Sequence, residues 1–246
     1  MLNRFRADLH IHSCLSPCAS EEMKPKAVVE RAMTIGLDMI AICDHNSADN
    51  LFAFIEAGKQ AGLSVLPGME VTSKEEIHLL AIFNRLEDCL MLQDWVYQHL
   101  SGKNKEEVFG SQTLVNEKSE AIGYNEKLLI GATLLPIEEI VSFVRNLEGI
   151  VIASHIDRQA FSLIGQLGFI PEGLSLDGLE ISPRTSLEEA KKKFRSYQHL
   201  AFVHFSDAHS IEEIGRVSTE FLIKERTSRE IKMALHSQEG RGMAEG

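Results

Sequence analysis

No run of eighteen apolar residues occurs in this 246-residue chain, which argues against a helix that crosses a bilayer. The apolar core of a secretory signal is missing too, since Asn3, Arg4, Arg6 and Asp8 precede any apolar stretch. A cytoplasmic location is expected. Cysteine is sparse: of Cys14, Cys18, Cys43 and Cys89 only the first two are closely spaced, so a four-thiolate zinc site is not expected and free thiols are. Basic side chains number 25 against 36 acidic ones, for a formal net charge of −11. Affinity for a long polyanion rests on Lys and Arg contacts to phosphate, so strong binding to duplex nucleic acid is not expected. A small phosphorylated substrate remains compatible, because bound divalent cations reverse the field inside a pocket.

What the chain does hold is a series of apolar runs that end in metal-ligand residue types. Asp8-Leu9-His10-Ile11-His12 reads as a strand whose alternation puts Asp8, His10 and His12 on one face and Ala7, Leu9 and Ile11 on the other. Met39 to Cys43 runs into Asp44-His45, Leu63 to Leu66 into Glu70, Ile150 to Ser154 into His155, and Ala201 to Ser206 into Asp207-Ala208-His209. His78 interrupts the run Glu76 to Phe83. Apolar runs bounded by helical patterns suggest strands buried on both faces, and in α/β barrels the site forms at their carboxyl ends.

Length and an ordinary composition, 44% apolar and 25% charged, predict a single domain over residues 1–238 and a frayed Gly-rich tail over 239–246. Helices are expected from Pro25 to Gly36, over Asp49 to Ala61, over Leu86 to Leu100 with Trp95 as packing, and after Pro136. Ser186-Leu187-Glu188-Glu189, Ser210-Ile211-Glu212-Glu213 and Thr227-Ser228-Arg229-Glu230 read as helix caps. From Ser101 to Leu135 the β/α rhythm breaks. Gln112 to Asn116 and Glu120 to Tyr124 read as a hairpin projecting from the body, an insertion over 101–135.

The ordered set His10-x-His12, Asp44-His45, Glu70, His78, His155 and Asp207-x-His209 resembles the PHP family, the polymerase and histidinol phosphatase metal-dependent phosphoesterases. The resemblance spans Phe5 to about His236 and implies a distorted TIM-like barrel of seven β/α units with two to three divalent ions, zinc, manganese or iron. By it, His10, His12, Glu70 and Asp207 hold one ion, and Glu70 bridges to a second completed by His78 and His155. His45 and His209 hold a third, and Asp44 orients a ligand imidazole. One departure stands out. Where many relatives place an Asp or His soon after His-x-His, this chain reads Ser16-Pro17-Cys18-Ala19-Ser20-Glu21-Glu22, so Glu21, Glu22 or Cys18 would have to substitute.

Two ions about 3.5–4 Å apart can activate a shared water and hold a phosphoryl oxygen for in-line attack, which makes a metal-bridging hydroxide the expected nucleophile. Glu70, Asp207 and His209 are the expected catalytic residues, with Arg158 and Arg184 gripping phosphate. His99, His199, His204 and His236 receive no role. Hydrolysis of a small phosphorylated metabolite or nucleotide is the leading expectation. A nuclease-like or polymerase-associated processing module, another metal-dependent hydrolase and a non-catalytic metal-binding module are the alternatives, and the sequence sets no oligomeric state.

Overall fold

The computed structural model describes residues 1–244, so Glu245 and Gly246 of the expected frayed tail lie outside the described residues. In chain order the elements are β1 (Asn3–Ile11), α1 (Pro25–Thr34), β2 (Met39–Ile42), α2 (Leu51–Ala61), β3 (Ser64–Thr72), β4 (His78–Ile82), α3 (Leu86–His99), α4 (Glu106–Phe109), β5 (Thr113–Val115), β6 (Ala121–Tyr124), α5 (Ile137–Asn146), β7 (Ile150–Ala153), α6 (Leu163–Leu167), β8 (Gly178–Ile181), α7 (Leu187–Lys193), β9 (Ala201–His204), β10 (Thr219–Ile223), α8 (Ser228–Leu235) and β11 (Gly242–Met243). Among these described residues no helix is long and apolar enough to cross a membrane.

One sheet runs in the order β11-β10-β1-β2-β3-β4-β7-β8-β9, and β5 and β6 form a separate pair. The sheet curls into a half-barrel. β10 lies antiparallel to the first half of β1, as far as Ala7, and the chain just past β9 takes over beside the second half through a parallel bridge between Ile11 and Ala208. The Ser206 and Gly215 amides also donate to the buried Asp8 carboxylate. Two strands run against the rest: β4 is antiparallel to both β3 and β7, and β10 is antiparallel to β1.

Helices α1, α2, α3 and α5 cover one face of the sheet, packing Val28, Phe54, Leu92 and Ile140 against Ile40, Val71 and Val151. The other face carries Leu66, Leu80, Ile152 and Val203, closed by Ile231 and Leu235 of α8. Local sequence accounts for the helix limits. Pro25 supplies the fixed φ of a first turn, and Gly62 takes the left-handed φ of +80° that ends α2. Ser186 and Glu189 form the expected capping box, and Trp95 stacks on Phe143 at 4.3 Å.

Four expectations need correction. In β1 the simple alternation fails: Leu9 packs with the α8-side cluster and Ile11 with the helix-side cluster, because a bulge between Asp8 and Ile11 resets the register against β2. After that reset His10 and His12 share the inner face with Glu70, while Asp8 does not join them. The β5–β6 hairpin does not project, since Asn50 accepts from Val115 N and donates to Thr113 O, and Thr113 N donates to Cys14 O. Ser210 caps no α-helix, and Glu213 instead accepts the His209 amide. Finally, residues 239–244 are held rather than frayed: β11 pairs with β10, and the buried Arg241 donates two hydrogen bonds to Glu230.

Close packing leads directly to the strand that carries Glu70. A Cβ on Gly68 would lie 2.5 Å from Cys43 Sγ and 3.0 Å from Ile42 O. Gly68→Ala is expected to destabilise the fold by about 1–3 kcal/mol in urea unfolding, and adding Cys43→Ala should recover part of that loss. A loss that Cys43→Ala leaves untouched would place the strain on the Ile42 carbonyl instead.

Candidate metal centre

Strand ends converge on one carboxylate. Glu70, on β3 and 1% exposed, has Oε1 at 3.3 Å from His10 Nε2, 3.1 Å from His78 Nδ1 and 3.4 Å from His155 Nε2. Its Oε2 lies 3.5 Å from His12 Nε2 and 3.2 Å from His45 Nδ1. Asp207 Oδ1 is 3.3 Å from both His10 Nε2 and His12 Nε2. His155 and Asp207 take left-handed φ values of +30° and +49°, strained backbone of the kind held at functional sites.

A second layer fixes which ring nitrogen faces inward. Glu180, fully buried on β8, meets His10 Nδ1 at 2.9 Å and also accepts the His155 amide, so His10 turns Nε2 to the centre. Ser16 Oγ donates to Asp44 and lies 2.9 Å from His12 Nδ1, so Asp44 acts on His12 through a hydroxyl and touches no imidazole itself. His209 Nδ1 sits 2.9 Å from the Asp207 carbonyl, leaving its Nε2 free.

Burial disfavours charge on all these groups, and pairing decides where each settles. It works to raise Glu70 and Asp207, yet the imidazoles of His78 and His10 around Glu70, and of His10 and His12 around Asp207, hold both carboxyls well below the usual range. Burial likewise opposes protonation of His10 and His12. Glu180, Asp207 and Glu70 overcome it at His10, raising that ring well above its ordinary value, and bonds to Asp207 and Glu70 lift His12 to about 9. At His45 and His209 burial and the charge of His12 act together, holding His45 well below the usual value and pushing His209 down to about 4. The two carboxylates thus draw positive charge to the centre, the role that divalent cations fill in a metal site.

The donor set fits such ions. Ligand atoms of His10, His12, Glu70 and Asp207 lie within 4.8 Å of one another, as do those of His45, Glu70 and His78, and those of His12, His45 and His209. Glu70 Oε1, His45 Nδ1, His78 Nδ1 and His155 Nδ1 are buried with no hydrogen-bond partner, although three of these atoms lie within 3.2 Å of another side chain of the cluster. Buried polar atoms left unsatisfied are costly, and a cation resolves those that face the centre. Buried clusters of this composition are consistent with a multinuclear metal site.

Of the two arginines expected at phosphate, Arg158 lies against the cluster, its guanidinium 2.6 Å from Asp207 Oδ2, while Arg184 is exposed and makes no side-chain contact with the cluster. Glu21 is turned away to Ser111 and Thr113 of the hairpin segment. Cys18 is exposed on the loop between Ser16 and Ser20. His204 and His236 are bound elsewhere, to Ser182 O and Asp177, and His99 to Trp95 O. Glu180 and Ser16 are the positions that sequence reasoning passed over. A carboxylate inside the short apolar run Gly178 to Ile181 was the available signal.

A family model described as PHP domain matches residues 8–201, and one described as PHP-associated matches residues 192–239. The chain belongs to the PHP domain family. Its fold is similar to that of a lesion-specific endonuclease from Pyrococcus furiosus (TM-score 0.76, 20% identity, 98% of this chain and 58% of that one). It is also similar to a putative metal-dependent phosphoesterase from Bifidobacterium adolescentis (TM-score 0.57, 19% identity, 82% and 87%). In sequence the chain is 30% identical over 78 residues to a 5'-3' exoribonuclease of Haemophilus influenzae, covering 30% of this PHP chain and 27% of that protein. This PHP chain therefore spans under a third of the exoribonuclease and 58% of the endonuclease.

Elemental analysis of protein reconstituted with manganese, iron or zinc is expected to find at least two ions per chain. Glu70→Gln is expected to lower that number while circular dichroism stays unchanged. A Glu70→Gln protein with full metal content would remove the carboxylate from the centre of the site.

Proposed function

We propose that this chain is a metal-dependent phosphoesterase that hydrolyses phosphodiesters in nucleic acid. The observation that carries the proposal is the single buried carboxylate of Glu70, within 3.5 Å of five imidazoles and with one oxygen lacking any hydrogen bond. In this reading His10, His12, Glu70 and Asp207 hold one ion, and Glu70, His78 and His155 hold a second. His12, His45 and His209 form the third group. The ions, when bound, supply Lewis-acid activation of water and of a phosphoryl oxygen.

The side chains do the rest. Glu180 and Ser16 each engage Nδ1, which aims the Nε2 atoms of His10 and His12 inward. Asp207 faces two imidazoles with Oδ1 and the Arg158 guanidinium with Oδ2, which ties a phosphate grip to the ion-holding set. Arg158 is 30% exposed at its side chain, so an incoming phosphate can reach it. Positive charge from ions and Arg158 is concentrated at the mouth of an otherwise acidic chain.

A nucleic-acid substrate is supported by what the similar proteins are said to do: one is a 5'-3' exoribonuclease, and a structure of Endonuclease Q (TM-score 0.75, 21% identity) holds a 27-mer duplex substrate with an abasic lesion at the active site. The order set by composition thus reverses, with the nuclease-like alternative ahead of a small metabolite. The net charge of −11 still favours a small phosphate ester as the second reading.

The test is one panel run with manganese, iron and zinc: a 5'-phosphorylated RNA oligonucleotide, duplex DNA with and without an abasic site, nucleoside monophosphates and sugar phosphates. Release of nucleotides or cleaved strands is expected. Hydrolysis of sugar phosphates alone supports the second reading, and no hydrolysis of any substrate rejects both. Arg158→Ala is expected to lower kcat/KM about 100-fold, as loss of one charge-stabilising donor does, with metal content unchanged.

A further inference from the structure

Between β7 and α6 the chain passes through a loop that leaves two side chains beside the metal centre. One is Arg158. The other is Phe161, whose ring centroid lies 4.8 Å from that of His78 with an interplanar angle of 22°. Phe161 is 44% exposed and belongs to none of the apolar clusters, so core packing does not explain it. Its φ of +57° is one that a bulky L-residue adopts only at a conformational cost. The surroundings hold it there: Phe161 O accepts from His78 N at 2.9 Å, and Ser162 Oγ donates to Arg158 O while accepting from Gly165 N.

One face of the ring therefore rests on an imidazole of the centre, while 44% of the residue's surface stays open to solvent. The same loop sets Arg158 against Asp207, so the phosphate-gripping cation and the aromatic ring share one rigid support. We propose that Phe161 is a stacking platform for the nucleobase attached to the phosphate held at the centre. The proposal rests on the reading of the substrate as a nucleotide chain and adds a base-binding subsite to it. Stacking tolerates any base, since each has a π face, and it supplies affinity that basic residues supply in cationic nucleases. A chain of net charge −11 has reason to use it.

The competing role for Phe161 is a cover over His78 that matters only for holding metal. Binding separates the two. Affinities of adenosine monophosphate and ribose 5-phosphate for the manganese-loaded full chain are measured by calorimetry with wild type, Phe161→Leu and Phe161→Trp, alongside manganese content. Wild type is expected to bind adenosine monophosphate about 10-fold more tightly than ribose 5-phosphate. Phe161→Leu should abolish that preference with manganese content unchanged, and Phe161→Trp should keep it. Equal affinities in wild type, absence of binding by either ligand, or a Phe161→Leu protein that loses manganese or weakens both ligands alike would each overturn the platform. Cleavage of oligonucleotides by a protein that binds adenosine monophosphate no more tightly than ribose 5-phosphate overturns this proposal alone, and that binding preference without any cleavage overturns the phosphoesterase reading alone.

Discussion

Everything at the centre depends on a carboxylate that the fold has stripped of water and of ordinary partners. Among the described residues no Lys or Arg reaches Glu70; its neighbours are imidazoles from β1 and β4 and from the ends of β1, β2 and β7. Burying such an anion is tolerable only when cationic charge comes to it, either as protons on His10 and His12 or as metal. The first solution leaves several buried polar atoms unpaired. With metal, the atoms that face the centre gain partners, and the second layer of Glu180, Ser16 and Asp44 already presents the imidazoles in the tautomer that coordination requires.

Much of this was readable from residues alone because strand ends carry the ligands. An apolar run that stops at His or Asp is a local feature, and His45, Glu70, His155 and Asp207 all show it. What resisted reading was anything set by the pairing of strands. The bulge in β1 turns both Leu9 and His10 to the inner face that holds Glu70 and leaves Asp8 out of it, and period-two alternation contains no trace of an inserted residue. The antiparallel course of β4 was accessible in principle. Residues 73–77 are too few for the crossover of a dozen or more residues that parallel neighbours require.

Other misses follow from partners distant in sequence. Glu213 has the spacing of a capping residue, but the His209 amide competes for its carboxylate. Arg184 follows a strand end as Arg158 does, and loop geometry sends it outward. The 101–135 segment looked like an ornament, yet its residues bond to Asn50 and, through Leu129 and Gly131, to Asn46 beside His45. These contacts are made by backbone groups of the segment, which no side-chain pattern announces.

The seam beside β1 has a consequence for how the molecule is made. Ser206 and His10, joined there by a hydrogen bond, are 196 positions apart in the chain. On the ribosome His10 and His12 emerge well before their carboxylate and imidazole counterparts at Asp207 and His209. An ion captured by the nascent strand would find only part of its shell, so full occupancy has to wait until the segment with Asp207 and His209 has been made and folded back onto β1.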